Sequence, residues 1–457
     1  MSTKPIFHDF FVNSEISASF ILQALNTLQG CVYLSDNNQP CIGFLPERYV
    51  LFKSGKWQNF QKTGFNVYQE VIQAVELSTL FPITTPTVST ATSGFQGGYI
   101  GFIDYNFAAS QFTLSPGLDQ PQVYLGCYQN YLRLEQDQWI FYSHNEPAQA
   151  QQDLLQLQRL FKQYDPDPMA KGSGFHLTQA CQARWSKTEY QQAFQRIQDY
   201  IVAGDCYQIN LTQTFTAKAE GTLIDTAEQF WQLTEAPYSG YLKVDDFELL
   251  SCSPELFIEF SAQRQLITKP IKGTMPRDTD PVQDQLNKQK LIDSPKDQAE
   301  NLMIVDLLRN DLSVYAETGS VKTPQLFAIE SFNQVHHMVS EIHATLKTEI
   351  NPLQLLLSAL PGGSITGAPK IRAMQIIEEL EAAPRGAYCG SLGYFNFDGT
   401  GAWNILIRSI QKYQNQLSIW AGGGITIASD CDAEYQECLD KVSAMIELIN
   451  TWQSQDH

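Results

Sequence analysis

The sequence predicts an α+β protein in which large antiparallel β-sheets are flanked by helices. Three observations lead there. Short β-rich runs such as CVYLSD, GGYIGFIDY and QVYLGCYQNYLRL alternate with turn residues over the first 145 positions, the pattern of antiparallel strands. Further on, helical patterns such as KTEYQQAFQRIQDYIVAG alternate with strand pairs such as CYQINLTQTF and ELLSCSPELFIEF, a mixture that differs from a doubly wound parallel sheet. At 43% hydrophobic residues, the chain can bury a substantial core.

In chain order, the Gln-rich segment AQAQQDLLQLQRLFKQY predicts a helix, and DPDPMAKGSG after it favours turns. A domain boundary is expected near residue 170, dividing 1–170 from 171–457. The helix through KTEYQQAFQRIQDYIVA should stop at Gly204. SPKDQAENLMIVDLLRNDL (294–312) predicts another helix, with Asp297 and Glu300 one turn apart and Leu302, Ile304, Val305 and Leu308 available for burial. In PGGSITGAPKIRAMQIIEELEAA (361–383) a Gly-rich loop runs into a helix whose first turn holds Pro369, where a missing N–H costs nothing. In AGGGITIASDCDAEYQECLDKVSAMIELI (421–449) a triple glycine follows a strand-like run and an amphipathic helix closes the chain. Glu434, Glu437 and Lys441 share one face of that helix.

Composition excludes several functions. A net charge of −19 without clustered Lys and Arg argues against nucleic acid and against an anionic membrane surface. An anionic substrate would have to meet individual cations. The nine cysteines are scattered, odd in number and free of CxxC pairs, so neither a disulfide framework nor a zinc site is expected. The N-terminus lacks a signal-peptide pattern, and no apolar run approaches the ~20 residues of a membrane span. A cytoplasmic protein with reduced thiols is expected.

Four segments carry candidate chemistry. The loop of 361–368 offers free N–H groups to an anion, but Ala368 after Gly367 rules out a Walker A loop, and a plain helix cap explains it equally well. Helix-borne carboxylates at Asp297, Glu300, Glu434 and Glu437 suit magnesium, which takes few protein ligands; two solvated faces are the competing reading. Lys272, in TKPIKGTMPR, stands before a Gly-Thr pair where its amine could act as a nucleophile, although a surface lysine at a strand end is the commoner case.

Together PIKGTMPR, DQAENLMIVDLLRNDLS, FNQVHHMVSEI, PGGSITGAPKIRAM, YCGSLGYFNFDG, NILIRSI and AGGGITIASDCDAEYQE, in this order, resemble the chorismate-utilising enzymes. That family comprises component I of anthranilate synthase and of aminodeoxychorismate synthase, with isochorismate and salicylate synthases. The likeness is strong over about 180–449 and weaker over about 5–165, where it is to the N-terminal domain of anthranilate synthase component I.

The resemblance implies magnesium as cofactor and chorismate as substrate. Water-adding members carry a lysine where this chain has Gln208, so amination is implied instead. Anthranilate synthases usually have PIAGT; PIKGT marks the branch that aminates C4, with Lys272 attacking C2. By the same likeness Glu255 is the acid that helps the C4 hydroxyl leave. Glu300 and Glu437 are metal ligands, with Asp297 and Glu434 in support. Gly273, Thr274, His337, Ser364, Tyr394, Arg408, Gly422, Gly423, Gly424 and Lys441 contact substrate. No glutaminase motif occurs, so ammonia is expected from solution or from a glutamine amidotransferase subunit. YLSD (Ser35) and PYSGYL (Pro237, Tyr238) resemble segments that bind tryptophan in relatives. Anthranilate synthase component I, or a non-catalytic tryptophan-binding subunit of the same fold, are the alternatives.

Overall fold

The computed structural model describes residues 6–9, 16–72, 75–82, 94–113, 118–164, 174–331 and 335–453. Within them two twelve-stranded sheets face one another, built from antiparallel pairs. The first runs Ile6–Asp9, Gln138–Ser143, Asn130–Glu135, Gln39–Gly43, Val32–Asp36, Tyr238–Val244, Phe247–Ser253, Ser409–Tyr413, Gln416–Thr426, Gln208–Glu220 and His176–Ala183, with Gly367–Ala368 also on Gln208–Glu220. The second runs Ile271–Pro276, Val335–Thr345, Gln265–Thr268, Leu256–Ser261, Gly401–Asn404, Ser391–Asn396, Gly98–Ile103, Pro121–Tyr128, Arg48–Lys53, Lys56–Gly64 and Val67–Glu70, with Lys322–Ser331 also on Val335–Thr345.

Alternation along each strand sends one set of side chains inward. Val32, Leu34 and Leu242 of the first sheet and Ile100, Phe102 and Leu392 of the second pack together between the sheets. The outer faces are covered by helices: Leu22 and Met445 close over the first sheet, Ile304 and Leu355 over the second. The α+β architecture is therefore as the sequence predicts. The division expected near residue 170 lies outside the described residues. Strands from either side of it pair in both sheets, Val32–Asp36 with Tyr238–Val244 and Gly98–Ile103 with Ser391–Asn396.

The expected helices form at Pro147–Gln163, Lys187–Ala203 and Pro295–Ser313. Gly204 closes the second of these in the left-handed region (φ 82°), and Ser186 with Glu189 opens it as a capping box. Four details differ. Leu302 is exposed, because the buried stripe of its helix is Asn301, Ile304, Val305, Leu308 and Leu312 and Leu302 lies off it. Pro369 is the N-cap and not in the first turn, since Gly367–Ala368 pair with Gln208–Ile209 and delay the helix to Lys370. Gly422, Gly423 and Gly424 lie inside a strand, not after one. The closing helix is two, Cys431–Asp440 and Ser443–Asn450, because the chain turns after Lys441 to bury Val442, Met445 and Ile449.

All nine cysteines are unpaired. Among the described residues no helix is long and apolar enough to cross a membrane.

Candidate active site

The chain crosses from one sheet to the other twice at neighbouring points, and each crossing carries a charged residue. Between Phe247–Ser253 and Leu256–Ser261 stands Glu255; between Gly401–Asn404 and Ser409–Tyr413 stands Arg408. Ile405 N–H donates to the Glu255 carbonyl at 3.1 Å and Cys252 N–H to the Arg408 carbonyl at 3.1 Å, so the crossings brace each other. Glu255 is buried, and among the described residues its carboxyl receives only the Ser364 hydroxyl, at 3.5 Å. Burial pushes its carboxyl up to about 7, against the charges of Lys272 and Lys441 and the Ser364 hydrogen bond. Arg408 holds a left-handed backbone (φ 50°), a conformation costing about 1–3 kcal/mol for a residue with a side chain. It forms no ion pair with a carboxylate among the described residues, and burial lowers its pKa.

Lys272 is aimed by a bulge. Ile271 pairs with Val339 and Thr274 with His337, so three steps on one strand oppose two on the other. The extra residue is accommodated at Gly273, whose φ of +87° a side chain would strain. A Cβ there would also lie 2.9 Å from Leu291 Cδ1 and 3.0 Å from Asp297 Cγ, so only glycine lets the strand touch the helix Pro295–Ser313. The Lys272 charge works to lower the pKa of the Glu255, Glu300 and Glu437 carboxyls. Thr274 and His337 Nδ1 are 2.8 Å apart; burial and the Arg408 charge push the imidazole down to about 4, so it is neutral at neutral pH.

The two carboxylate-bearing helices do meet. The Lys296 ammonium lies 3.9 Å from Glu300 Oε1 and 3.8 Å from Glu434 Oε1, bridging Pro295–Ser313 to Cys431–Asp440. Lys441 pairs with Glu437 at 2.7 Å and donates to the Gly422 carbonyl at 2.8 Å. Burial raises Glu300, with Lys272 and Lys296 opposing and Glu434 and Asp297 adding to the rise. Burial also works to raise Glu437, but Lys441 more than cancels it and holds the carboxyl below its usual range. Glu300 Oε1 is buried without a hydrogen bond. Among the described residues no three His, Cys, Asp or Glu side chains enclose a common point. The acids form an open half-ring with a lysine ammonium between two of them, which fits a cation that draws its other ligands from water and substrate.

The glycines line this cluster with bare backbone. A Cβ on Gly423 would stand 3.0 Å from Glu434 Oε2 and 3.8 Å from Lys441 Nζ; one on Gly424 would strike Gln208 Nε2 at 2.6 Å; one on Gly422 would lie 2.0 Å from the Leu211 carbonyl. Gln208 is fully buried, and neither end of its amide has a partner. Ser364 is buried in the loop expected to hold an anion.

Tyr394 falls elsewhere. Its hydroxyl donates to Asp36 Oδ2 at 2.5 Å in a cavity between the sheets lined also by Ser35, Tyr238, Leu392 and Asn404. Pro237 borders this second site, its carbonyl accepting from Asn37 N–H at 2.9 Å. Tyr394 pairs in register with Ile100 and Ala402, and its side chain joins the core between the sheets. Two residues were missed as site members. Lys296 announces itself only as an ordinary i,i+4 partner of Glu300. Gln208 was read for the base it lacks, while its partnerless amide depends on tertiary packing.

The fold is shared with a known family: residues 22–447 match the chorismate binding enzymes, and the chain belongs to that family. Among its relatives, aminodeoxychorismate synthase component 1 of Klebsiella aerogenes is 42% identical over 364 residues, 78% of each chain. The protein of the same name from Escherichia coli (strain K12) is 41% identical over 361 residues, 78% of this chain and 77% of that one. Among solved structures, anthranilate synthase component I from Streptococcus pneumoniae TIGR4 superposes with a TM-score of 0.76, covering 89% of this chain and 92% of its own at 24% identity, a likeness of fold.

Proposed function

We propose that the chain aminates chorismate at C4, giving 4-amino-4-deoxychorismate on the route to 4-aminobenzoate and folate, with ammonia supplied by a separate glutamine amidotransferase subunit. The observation that carries this reading is Lys272, set on its bulge, whose charge works on Glu255, Glu300 and Glu437. It agrees with the component 1 name of the relatives.

The Lys272 amine bonds to chorismate C2, the ring double bonds shift, and the C4–O bond breaks. Glu255, protonated below about pH 7, gives its proton to the departing hydroxyl, which leaves as water. The new ammonium on Lys272 keeps its proton, so that it can later leave as a neutral amine. Ammonia then bonds to C4, the double bonds shift back, and the C2–N bond to Lys272 breaks. Arg408 and Lys441 neutralise substrate carboxylates, Arg408 being short of an acidic partner of its own.

Glu300 and Glu437 would hold magnesium, with Glu434 and Asp297 nearby, and Lys296 would move off the position it takes between Glu300 and Glu434. The ion would supply positive charge for a substrate carboxylate. Ser35, Pro237 and Tyr238 would take tryptophan in the second cavity. Incubation with chorismate, ammonium and magnesium, read by mass spectrometry, should give a 4-amino product that needs a lyase to become aromatic. Anthranilate as the main product would replace this reading by its nearest rival.

A further inference from the structure

We infer that Lys296 is a built-in cation that holds Glu300 and Glu434 together before magnesium arrives and competes with the ion for them, an inference that rests on the metal site proposed above. The Lys296 ammonium lies 3.9 Å from Glu300 Oε1 and 3.8 Å from Glu434 Oε1, so one charge spans the two helices that carry these acids. Glu300 Oε1 is buried and accepts no hydrogen bond among the described residues. Glu434 is buried too, its Oε1 accepting from the Ser429 hydroxyl at 2.7 Å. Burial raises the Glu300 carboxyl; Lys272 and Lys296 oppose the rise, and the charges of Glu434 and Asp297 add to it. Acids that repel one another in this way need a cation, and Lys296 is the one that touches both helices.

Its hold is built to be given up. Lys296 stands in the first turn of Pro295–Ser313, where the positive end of the helix favours acids and disfavours a lysine. Both of its contacts are too long for hydrogen bonds, so they are charge pairs without fixed geometry. The side chain is 57% exposed, and its ammonium can swing into water without opening the core. Lys441 is the contrast: it pairs with Glu437 at 2.7 Å and donates to the Gly422 carbonyl at 2.8 Å, two hydrogen bonds that fix it in place. A divalent ion carries twice the charge of an ammonium and takes carboxylate oxygens directly as ligands. It therefore displaces the loose lysine and leaves the anchored one. Lys296 thus lowers the affinity for magnesium and in return keeps the acids assembled without it.

The test is calorimetric titration of magnesium chloride, at low ionic strength, into the metal-free full chain and into Lys296→Met and Lys296→Arg. Lys296→Met should bind magnesium about threefold to tenfold more tightly than the unaltered chain, the scale of one or two partly exposed ion pairs. Lys296→Arg keeps the charge and should not gain affinity. In the unaltered chain, an amine-reactive ester read by mass spectrometry should label Lys296 faster once magnesium is added, while labelling of the exposed Lys290 stays constant. That second readout needs no variant and so decides the matter even where a substitution prevents folding. Equal or weaker magnesium binding by a folded Lys296→Met overturns the inference, as does Lys296 labelling that magnesium leaves unchanged. Absence of magnesium binding by all three chains would sink the metal site of the proposed function, and the inference with it.

Discussion

Two buried polar networks touch the strand Gln208–Glu220, and they are built to opposite rules. The Arg385 guanidinium and the Glu381 carboxylate are satisfied. Its Nε and Nη2 donate to Glu381 at 2.8 and 2.7 Å, while Nη1 and Nη2 donate to the carbonyls of Ile365 and Asn210 at 3.0 and 2.8 Å. Glu381 in turn accepts from Thr212 N–H and Oγ1 at 3.0 and 2.7 Å. Two residues along the strand from Asn210, and among the described residues, Gln208 has no hydrogen-bond partner at either end of its amide, Glu300 Oε1 accepts no hydrogen bond, and Arg408 forms no ion pair with a carboxylate. A buried polar group without a hydrogen bond costs about 1–3 kcal/mol, so such groups persist where something outside the chain completes them. The closed network belongs to the fold, and the open one is where the ligand of the proposed function would find its partners.

The comparison can be broken by substitution. The largest effect belongs to the acidic half-ring. Glu300→Gln and Glu437→Gln should each reduce chorismate amination below detection while melting temperature and circular dichroism stay those of the unaltered protein. EDTA should do the same reversibly. Wild-type turnover in EDTA, or in Glu437→Gln, would remove the metal from the account.

Glu255→Gln should slow amination by on the order of a hundredfold or more, because an amide has no proton to give the leaving hydroxyl. The pH profile sharpens this. The Glu255 carboxyl is raised from 4.5 to about 7, so it is protonated below that point, and kcat/KM should fall as pH rises through about 7. Sign and window carry over to stability. The folded state binds the extra proton between 4.5 and 7, so the Glu255 contribution is fully present below 4.5 and is lost as pH rises through 7. Denaturant titrations of Glu255→Gln should show a flatter pH dependence over that window; an unchanged slope would contradict the assignment.

On the closed side, Arg385→Leu strands the Glu381 carboxylate inside the protein and should cost about 3–5 kcal/mol of stability in urea unfolding. A loss under about 1 kcal/mol, the level of an ordinary surface change, would show that the network is not structural. Smallest is Tyr394→Phe, which removes the hydroxyl from Asp36 and should cost about 1–3 kcal/mol with ammonium-dependent amination unchanged. A drop in amination there would return Tyr394 to the substrate site.

Much of this was legible in the sequence, and the limits have physical causes. The α+β class and the long helices follow from periodicity, and Gly204 ends its helix as its position suggests. The carboxylates of Asp297, Glu300, Glu434 and Glu437 could be placed on helix faces, but that the helices meet is a tertiary fact, visible only through Lys296. Lys272 could be singled out by its neighbours, while the bulge that aims it depends on register with Val339 and His337. That the Tyr394 hydroxyl meets Asp36 is likewise a tertiary fact, which the alternation along its strand does not announce. The closed pair of Arg385 and Glu381 looks in sequence like any i,i+4 ion pair. Only burial separates it from a solvated one.

The central claim is that Lys272 takes part covalently in C4 amination, and the direct measurement is the rate of 4-amino product formation by Lys272→Ala with ammonium and magnesium. The account predicts a rate about a hundredfold below that of the unaltered chain. It also predicts a trace of anthranilate as ammonia reaches the vacated C2. Amination of C4 by Lys272→Ala at the wild-type rate would contradict it.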